Sequence, residues 1–194
     1  MLLKMIRRVW KWRRYRAAIG LLSDAPNGCV LDLGAGSGEL LSMIPASCKV
    51  GIDLHPPASK SSQSFIVADA QNLPLRDSCF DIVICLEVIE HVADPPRVIE
   101  EISRVLKHGA TLLISTPDAS PIWRVIWHIW TRTVAREWLG AHKQNFRLTS
   151  LLKLLQEGRF SAERVVRANF FILTIRAKSV KSRRPEQKNP KLFL

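Results

Sequence analysis

Val30-Leu31-Asp32-Leu33-Gly34-Ala35-Gly36-Ser37-Gly38-Glu39-Leu40 is a short apolar run ending in three glycines that alternate with small residues. A parallel strand buried on both faces reads as such a continuous apolar run, and glycines beyond its carboxyl end let backbone approach a ligand where the next helix begins. Gly34, Gly36 and Gly38 supply that approach. A dinucleotide fingerprint requires a further glycine at position 39, where this chain has Glu39, so the spacing argues against a pyrophosphate loop.

Four more segments follow in a consistent order. Lys49-Val50-Gly51-Ile52 reads as a second strand and ends in Asp53, near the distance from the first glycine at which a carboxylate takes both ribose hydroxyls in such folds. Phe65-Ile66-Val67-Ala68-Asp69-Ala70 is a third strand with an aspartate at its end. Phe80-Asp81-Ile82-Val83-Ile84-Cys85 is a fourth, followed by Glu87-Val88-Ile89-Glu90-His91, and Gly109 to Pro117 reads as a fifth. Alone, Asp53 could cap a helix and Asp69 could start a turn. The ordered set assigns both to a ligand site.

From Cys29 to Pro117 this order of segments resembles the class I S-adenosylmethionine-dependent methyltransferases, in particular their type 11 and ubiquinone-biosynthesis members. The resemblance implies an α/β, Rossmann-like fold: a seven-stranded, mostly parallel sheet with an antiparallel last strand and helices on both faces. It implies S-adenosylmethionine as cofactor, held by Asp32, Gly34, Ala35, Gly36, Gly38, Asp53, Leu54, Asp69, Ala70 and Leu86, with Asp69 and the backbone after it facing the adenine amino group. It also implies that an insertion after the fifth strand covers the acceptor pocket.

The 194 residues fit one domain. Cys29, Cys48, Cys79 and Cys85 lie in or beside predicted strands without a short paired spacing, which predicts reduced core thiols rather than a zinc site or a disulfide framework. No apolar run has the length of a spanning helix and no secretory block opens the chain, so a cytoplasmic protein, peripheral on a membrane, is expected. In a eukaryotic host the acid-free, Arg-rich start also fits a mitochondrial presequence, although it lacks serine.

The net charge of +12 is unevenly spread. Residues 1–20 carry +7 with no acid, residues 21–120 carry −7, and residues 121–194 carry +12. All six tryptophans lie in the two basic flanks, a mixture that suits an anionic membrane surface or a nucleic acid.

Residues 1–20 predict a basic amphipathic helix: Leu2, Leu3, Met5, Ile6, Val9, Trp10 and Trp12 share one side, with Lys4, Arg7, Arg8, Lys11 and Arg14 opposite. Arg13 and Arg16 limit the clean pattern to about three turns. The methyltransferase domain is expected over 21–177, with a helical lid at about 119–140 on which Trp123, Trp127, Trp130, Val134 and Trp138 form one apolar face. A helix over Leu148 to Glu157, with Thr149 as N-cap and Gly158 as stop, precedes closing strands over Arg159–Arg167 and Ala168–Ala177. Residues 178–194 read as a basic flexible tail.

Methyl transfer from a sulfonium is an in-line displacement, so the protein aligns the reactants and, for a hydroxyl acceptor, removes a proton. His91 is the candidate base because imidazole titrates near neutrality, with Glu87 and Glu90 beside it. The Glu-x-x-Glu-His pattern also resembles the metal-binding segment of ubiquinone-pathway and small-RNA methyltransferases, which would have Glu87, Glu90, His91 and His142 hold Mg²⁺ or Mn²⁺. The expected function is methylation of a hydrophobic small molecule, a quinone precursor or lipid, at a membrane surface. The alternatives are an RNA methyltransferase, with the basic flanks as its phosphate footprint, and a catalytically inactive cofactor-binding scaffold.

Overall fold

In the computed structural model, residues 2–57, 64–133, 143–168 and 171–180 are described. Helix α1 (Leu2–Leu21) leads into strand β1 (Cys29–Leu33), the short helix α2 (Glu39–Met43), β2 (Cys48–Asp53), β3 (Ser64–Val67) and β4 (Phe80–Leu86). Helix α3 (Pro95–Val105), β5 (Leu106–Pro117), α4 (Pro121–Thr133), α5 (Leu148–Glu157), β6 (Phe160–Ala168) and β7 (Ile172–Ser179) complete it. The seven strands form one sheet in the order β3-β2-β1-β4-β5-β7-β6. The first five run parallel, and β7 pairs antiparallel with both β5 and β6.

Side chains alternate across a strand, so a continuous apolar run feeds two cores at once. Leu31, Leu33, Val83, Cys85, Leu112 and Ile114 face one core, packed under α3 and α5. Val30, Ile82, Ile84 and Leu113 face the other, closed by Leu40 and Leu41 of α2 and by Ala18 and Leu21 of α1. Asp94 starts α3 by accepting a hydrogen bond from the Arg97 N–H (3.1 Å), with Pro95 in the first turn.

Helix α1 is longer than its amphipathic pattern predicts. Its last turns leave that pattern to bury Ala18 and Leu21, and the buried Arg176 of β7 anchors its end by donating to the Leu21 carbonyl (2.9 Å). A cation at a helix carboxyl end meets unpaired carbonyls and the negative end of the dipole. Arg176 also pairs with Asp24 and, at 3.1 Å, with Glu163 of β6.

The closing strands shift from their expected bounds, and α5 is capped differently than expected. Helix α5 covers Leu148–Glu157 as expected, but its N-cap is Arg147, whose N–H donates to Ser150 Oγ (2.9 Å), and Thr149 lies inside the helix. The closing strands turn after Ala168 rather than before it. Gly158 ends α5, but its φ is −76°; a Cβ there would lie 2.1 Å from Ile99 Cγ2, so the glycine is set by packing against α3. Helix α4 covers 121–133 of the expected lid; Val134, Trp138 and His142 lie outside the described residues. Among the described residues, no helix is long and apolar enough to cross a membrane.

Candidate active site

The site opens at the carboxyl ends of β1, β2 and β4, where the strand order reverses direction from β1. Gly34, Gly36 and Gly38 all take left-handed backbone conformations (φ 72°, 52° and 70°), which folds the loop back over the strand end. The N–H groups of Gly34 and Ala35 bond to the Ile52 carbonyl at 2.8 and 3.0 Å, stitching the loop to β2. Gly34 tolerates no side chain, since a Cβ would lie 2.4 Å from Val88 Cγ2.

A cleft of about 340 Å³ lies in front of this loop. Five of the expected cofactor residues line it: Gly34, Asp53, Leu54, Asp69 and Ala70. Asp53 Oδ2 accepts the Gly36 N–H (2.9 Å) and Oδ1 the His55 N–H (3.2 Å), which fixes the carboxylate at the end of β2. Asp69 is held by the backbone N–H and side-chain amide of Gln71, at 2.9 and 3.0 Å. The other expected residues support the wall instead. Asp32 and Ala35 are buried behind the loop, Gly36 and Gly38 complete it, and Leu86 packs into the core beneath α1. Burial, and then the charge of Asp53, pushes Asp32 up to about 7.

S-Adenosylmethionine carries a sulfonium and an ammonium against one carboxylate. Asp53 and Asp69 lining the cleft, Asp32 buried behind its loop, and Ile52, Leu54 and Ala68 as apolar lining fit such a cation and its adenine. Asp53 would hold the ribose and Asp69 the adenine edge.

The acceptor side follows β4. Glu87 has φ +57°, unusual for a residue with a side chain, and this turns it into the cleft. Its Oε1 accepts the Ser115 hydroxyl (2.9 Å) and its Oε2 lies 3.6 Å from the guanidinium of Arg14. His91 also lines the cleft, and its Nε2 lies 4.0 Å from Glu90 Oε1. Glu90 does not line it. Its side chain is 2 % exposed, with the Thr116 hydroxyl beside it. Burial raises the pKa of both glutamates; Arg14 and Ser115 oppose this at Glu87, whereas the charge of Glu87 adds to it at Glu90. Burial therefore favours the protonated form more strongly at Glu90 than at Glu87.

This geometry gives no support to a metal on these residues. Among the described residues no group of three or more His, Cys, Asp or Glu side chains converges on a point that could hold an ion. Glu87 turns toward Ser115 and Arg14, Glu90 is buried behind the site, and His91 faces the cleft, while His142 is outside the described residues.

Two residues of the tryptophan face, Trp123 and Trp127, turn inward. Trp123 is 6 % exposed and stacks on Phe171 and Trp127, with ring centroids 5.0 and 5.4 Å apart. Neither tryptophan lines the cleft. The largest side chains gain most from burial, so they took the inner side of α4 and left its aliphatic side outside. The free cysteines are as expected in or beside strands, although Cys48 is exposed.

Several site residues were not singled out by motif. Gln71, Val88, Val92, Ala93 and Lys143 line the cleft, and Gln71 has a local signal in its position two residues after Asp69. Arg14 has none, because its role depends on a contact with a residue 73 positions away, and on a helical wheel it falls with the solvent-facing cations.

A parallel sheet with β7 inserted antiparallel, a left-handed glycine loop after β1 and a carboxylate ending β2 define the class I methyltransferase architecture. Residues 31–114 of the chain match the methyltransferase domain family. It is 34% identical over 141 residues, 67% of this chain and 34% of the relative, to the tRNA (carboxymethyluridine(34)-5-O)-methyltransferase of Arabidopsis thaliana. It is 30% identical over 116 residues, 53% of this chain and 48% of the relative, to the ubiquinone biosynthesis O-methyltransferase of Nitrosomonas europaea. The fold superposes with a TM-score of 0.72 and 19% identity on a methyltransferase solved in complex with the Haloferax volcanii Trm112 methyltransferase activator, covering 89% of this chain and 92% of that one. The chain spans about a third to a half of the length of the first curated relatives it matches.

Proposed function

We propose that the chain methylates a hydrophobic small molecule, a quinone precursor or a lipid, drawn from a membrane surface. Helix α1 carries this reading. Its outer half exposes Met5, Val9, Trp10 and Trp12 among basic residues, while Arg14 of the same helix reaches Glu87 in the cleft. A basic amphipathic helix with exposed tryptophans suits the headgroup region of an anionic bilayer, and this one reaches the cleft through Arg14.

S-Adenosylmethionine, when bound, supplies an electrophilic methyl group for in-line displacement. The residues of the chain orient the acceptor and handle its proton. His91 accepts the proton of an acceptor hydroxyl, with the Glu87 carboxyl beside it in the cleft to stabilise the imidazolium as it forms. Ile52, Val88 and Val92 line the cleft with apolar surface that excludes water.

A second reading, RNA methylation, is favoured by the Arabidopsis relative, whose name specifies a tRNA position, and by the basic flanks. Methyl transfer from radiolabelled S-adenosylmethionine into an extract of the source cells separates the two. Label in the organic-soluble fraction is expected. Label confined to RNA overturns the small-molecule assignment and makes the flanks a phosphate-binding surface.

A further inference from the structure

Helix α4 has three distinct sides. Trp123, Trp127 and Thr131, four residues apart, face the protein, and Trp123 rests on Phe171 in the turn before β7. His128 and Arg132, also four apart, form a short basic row, and the helix contains no acid. Ile122, Val125, Ile126 and Ile129 fall at the i, i+3, i+4, i+7 spacing of one stripe and stand in solvent, with Ile122 68% and Ile129 57% exposed. A contiguous aliphatic ridge of this kind on a folded domain marks an interaction surface.

The location of the ridge is informative. Strand β5 ends at Pro117, and α4 begins four residues later, where Ser120 Oγ accepts the Trp123 N–H (3.3 Å). Helix α1 reaches the same carboxyl edge of the sheet: Lys11 pairs with Glu39 just beyond β1, and Arg14 pairs with Glu87 just beyond β4. Since Leu21 sits against the middle of the sheet, residues 2–10 extend past this edge, on the side where the cleft opens. Two helices that expose apolar residues beside basic ones thus leave the sheet at the cleft.

We propose that the α4 ridge is a second membrane contact, which inserts into an anionic bilayer beside α1 and turns the cleft toward the lipid. This rests on the membrane reading of the function and extends it from one helix to two. The basic row next to the ridge selects the occupant. In a symmetric pair of chains it would meet its own copy as like charge, whereas anionic headgroups complement it. The ridge then enters the acyl boundary while Arg132 and His128 remain among the headgroups.

The test is co-sedimentation of the full chain with vesicles of equimolar phosphatidylcholine and phosphatidylglycerol. It compares the wild type with a variant carrying Ile122→Ser, Ile126→Ser and Ile129→Ser, all at exposed positions. Titration with S-adenosylmethionine and sedimentation velocity report fold and oligomeric state. The variant is expected to keep its cofactor affinity and to partition about tenfold less well. Equal partitioning of variant and wild type overturns the ridge contact and leaves α1 as the anchor. Failure of the wild type to bind these vesicles overturns the membrane reading together with the ridge. A wild-type dimer that the variant converts to monomers, with vesicle binding unchanged, identifies the ridge as a self-association face and also overturns the proposal.

Discussion

The acidic centre of the chain and its basic flanks build their halves of the site by different means. Residues 21–120, net −7, put Asp32, Asp53 and Asp69 in or just beyond successive strands, so each carboxylate is delivered by its own local motif. The flanks, net +7 and +12, contribute through contacts between distant segments: Arg14 to Glu87, Arg167 to Asp118, and Arg176 to Asp24. Cofactor binding is thus expected to depend on loop and strand-end geometry, while α1 docking and acceptor handling depend on a few long-range cations.

The largest effect is expected within the centre. Gly34→Ala forces an alanine to φ +72° and a Cβ against Val88. Strain of about 2 to 3 kcal/mol at the loop corresponds to roughly a hundredfold loss of S-adenosylmethionine affinity, measurable by calorimetric titration. An unchanged dissociation constant would break the claim that the centre acts through local geometry. Arg176→Met tests the opposite mode. It frees the Leu21 carbonyl and leaves Asp24 and Glu163 to water, which lowers stability by about 2 kcal/mol in urea unfolding and increases hydrogen exchange in α1.

A pH titration sharpens the contrast further. Asp32 titrates near 3.8 in the unfolded chain and at about 7 in the folded one. Its contribution to stability is therefore complete below the unfolded value and is lost as pH rises through about 7. Asp32→Asn is expected to flatten Tm against pH across that window. Because a cationic cofactor favours the ionised carboxylate, wild-type affinity for S-adenosylmethionine should also rise through the same window, and that rise should disappear in the variant. The smallest effect is expected at the boundary between the regions. Arg14→Ala removes the cation that favours ionised Glu87, so kcat falls about tenfold with cofactor affinity unchanged. A loss of affinity instead would place Arg14 in the cofactor site.

Legibility in the sequence divides along the same line. The order from Val30 to Pro117 was sufficient for the parallel strands, the glycine loop and Asp53, because an apolar run, a left-handed glycine and a terminal carboxylate are local requirements. Where two sides of a helix were both apolar, periodicity could not choose between them: α4 has indoles on one side and isoleucines on another, and only the pocket beside Phe171 decides which is buried. Nor does spacing disclose that Glu90 is sealed behind His91, that Arg176 closes α1 across 155 residues, or that Arg14 faces inward while its helix neighbours face solvent.

The central claim is that the carboxylate ending β2 holds the ribose of a bound S-adenosylmethionine. Calorimetric titration of that cofactor into the wild type and into Asp53→Ala tests it most directly, with thermal unfolding of both to verify the fold. Saturable binding by the wild type and no measurable binding by a folded Asp53→Ala variant is the predicted result. Equal affinities in the two proteins would contradict the assignment of the cleft.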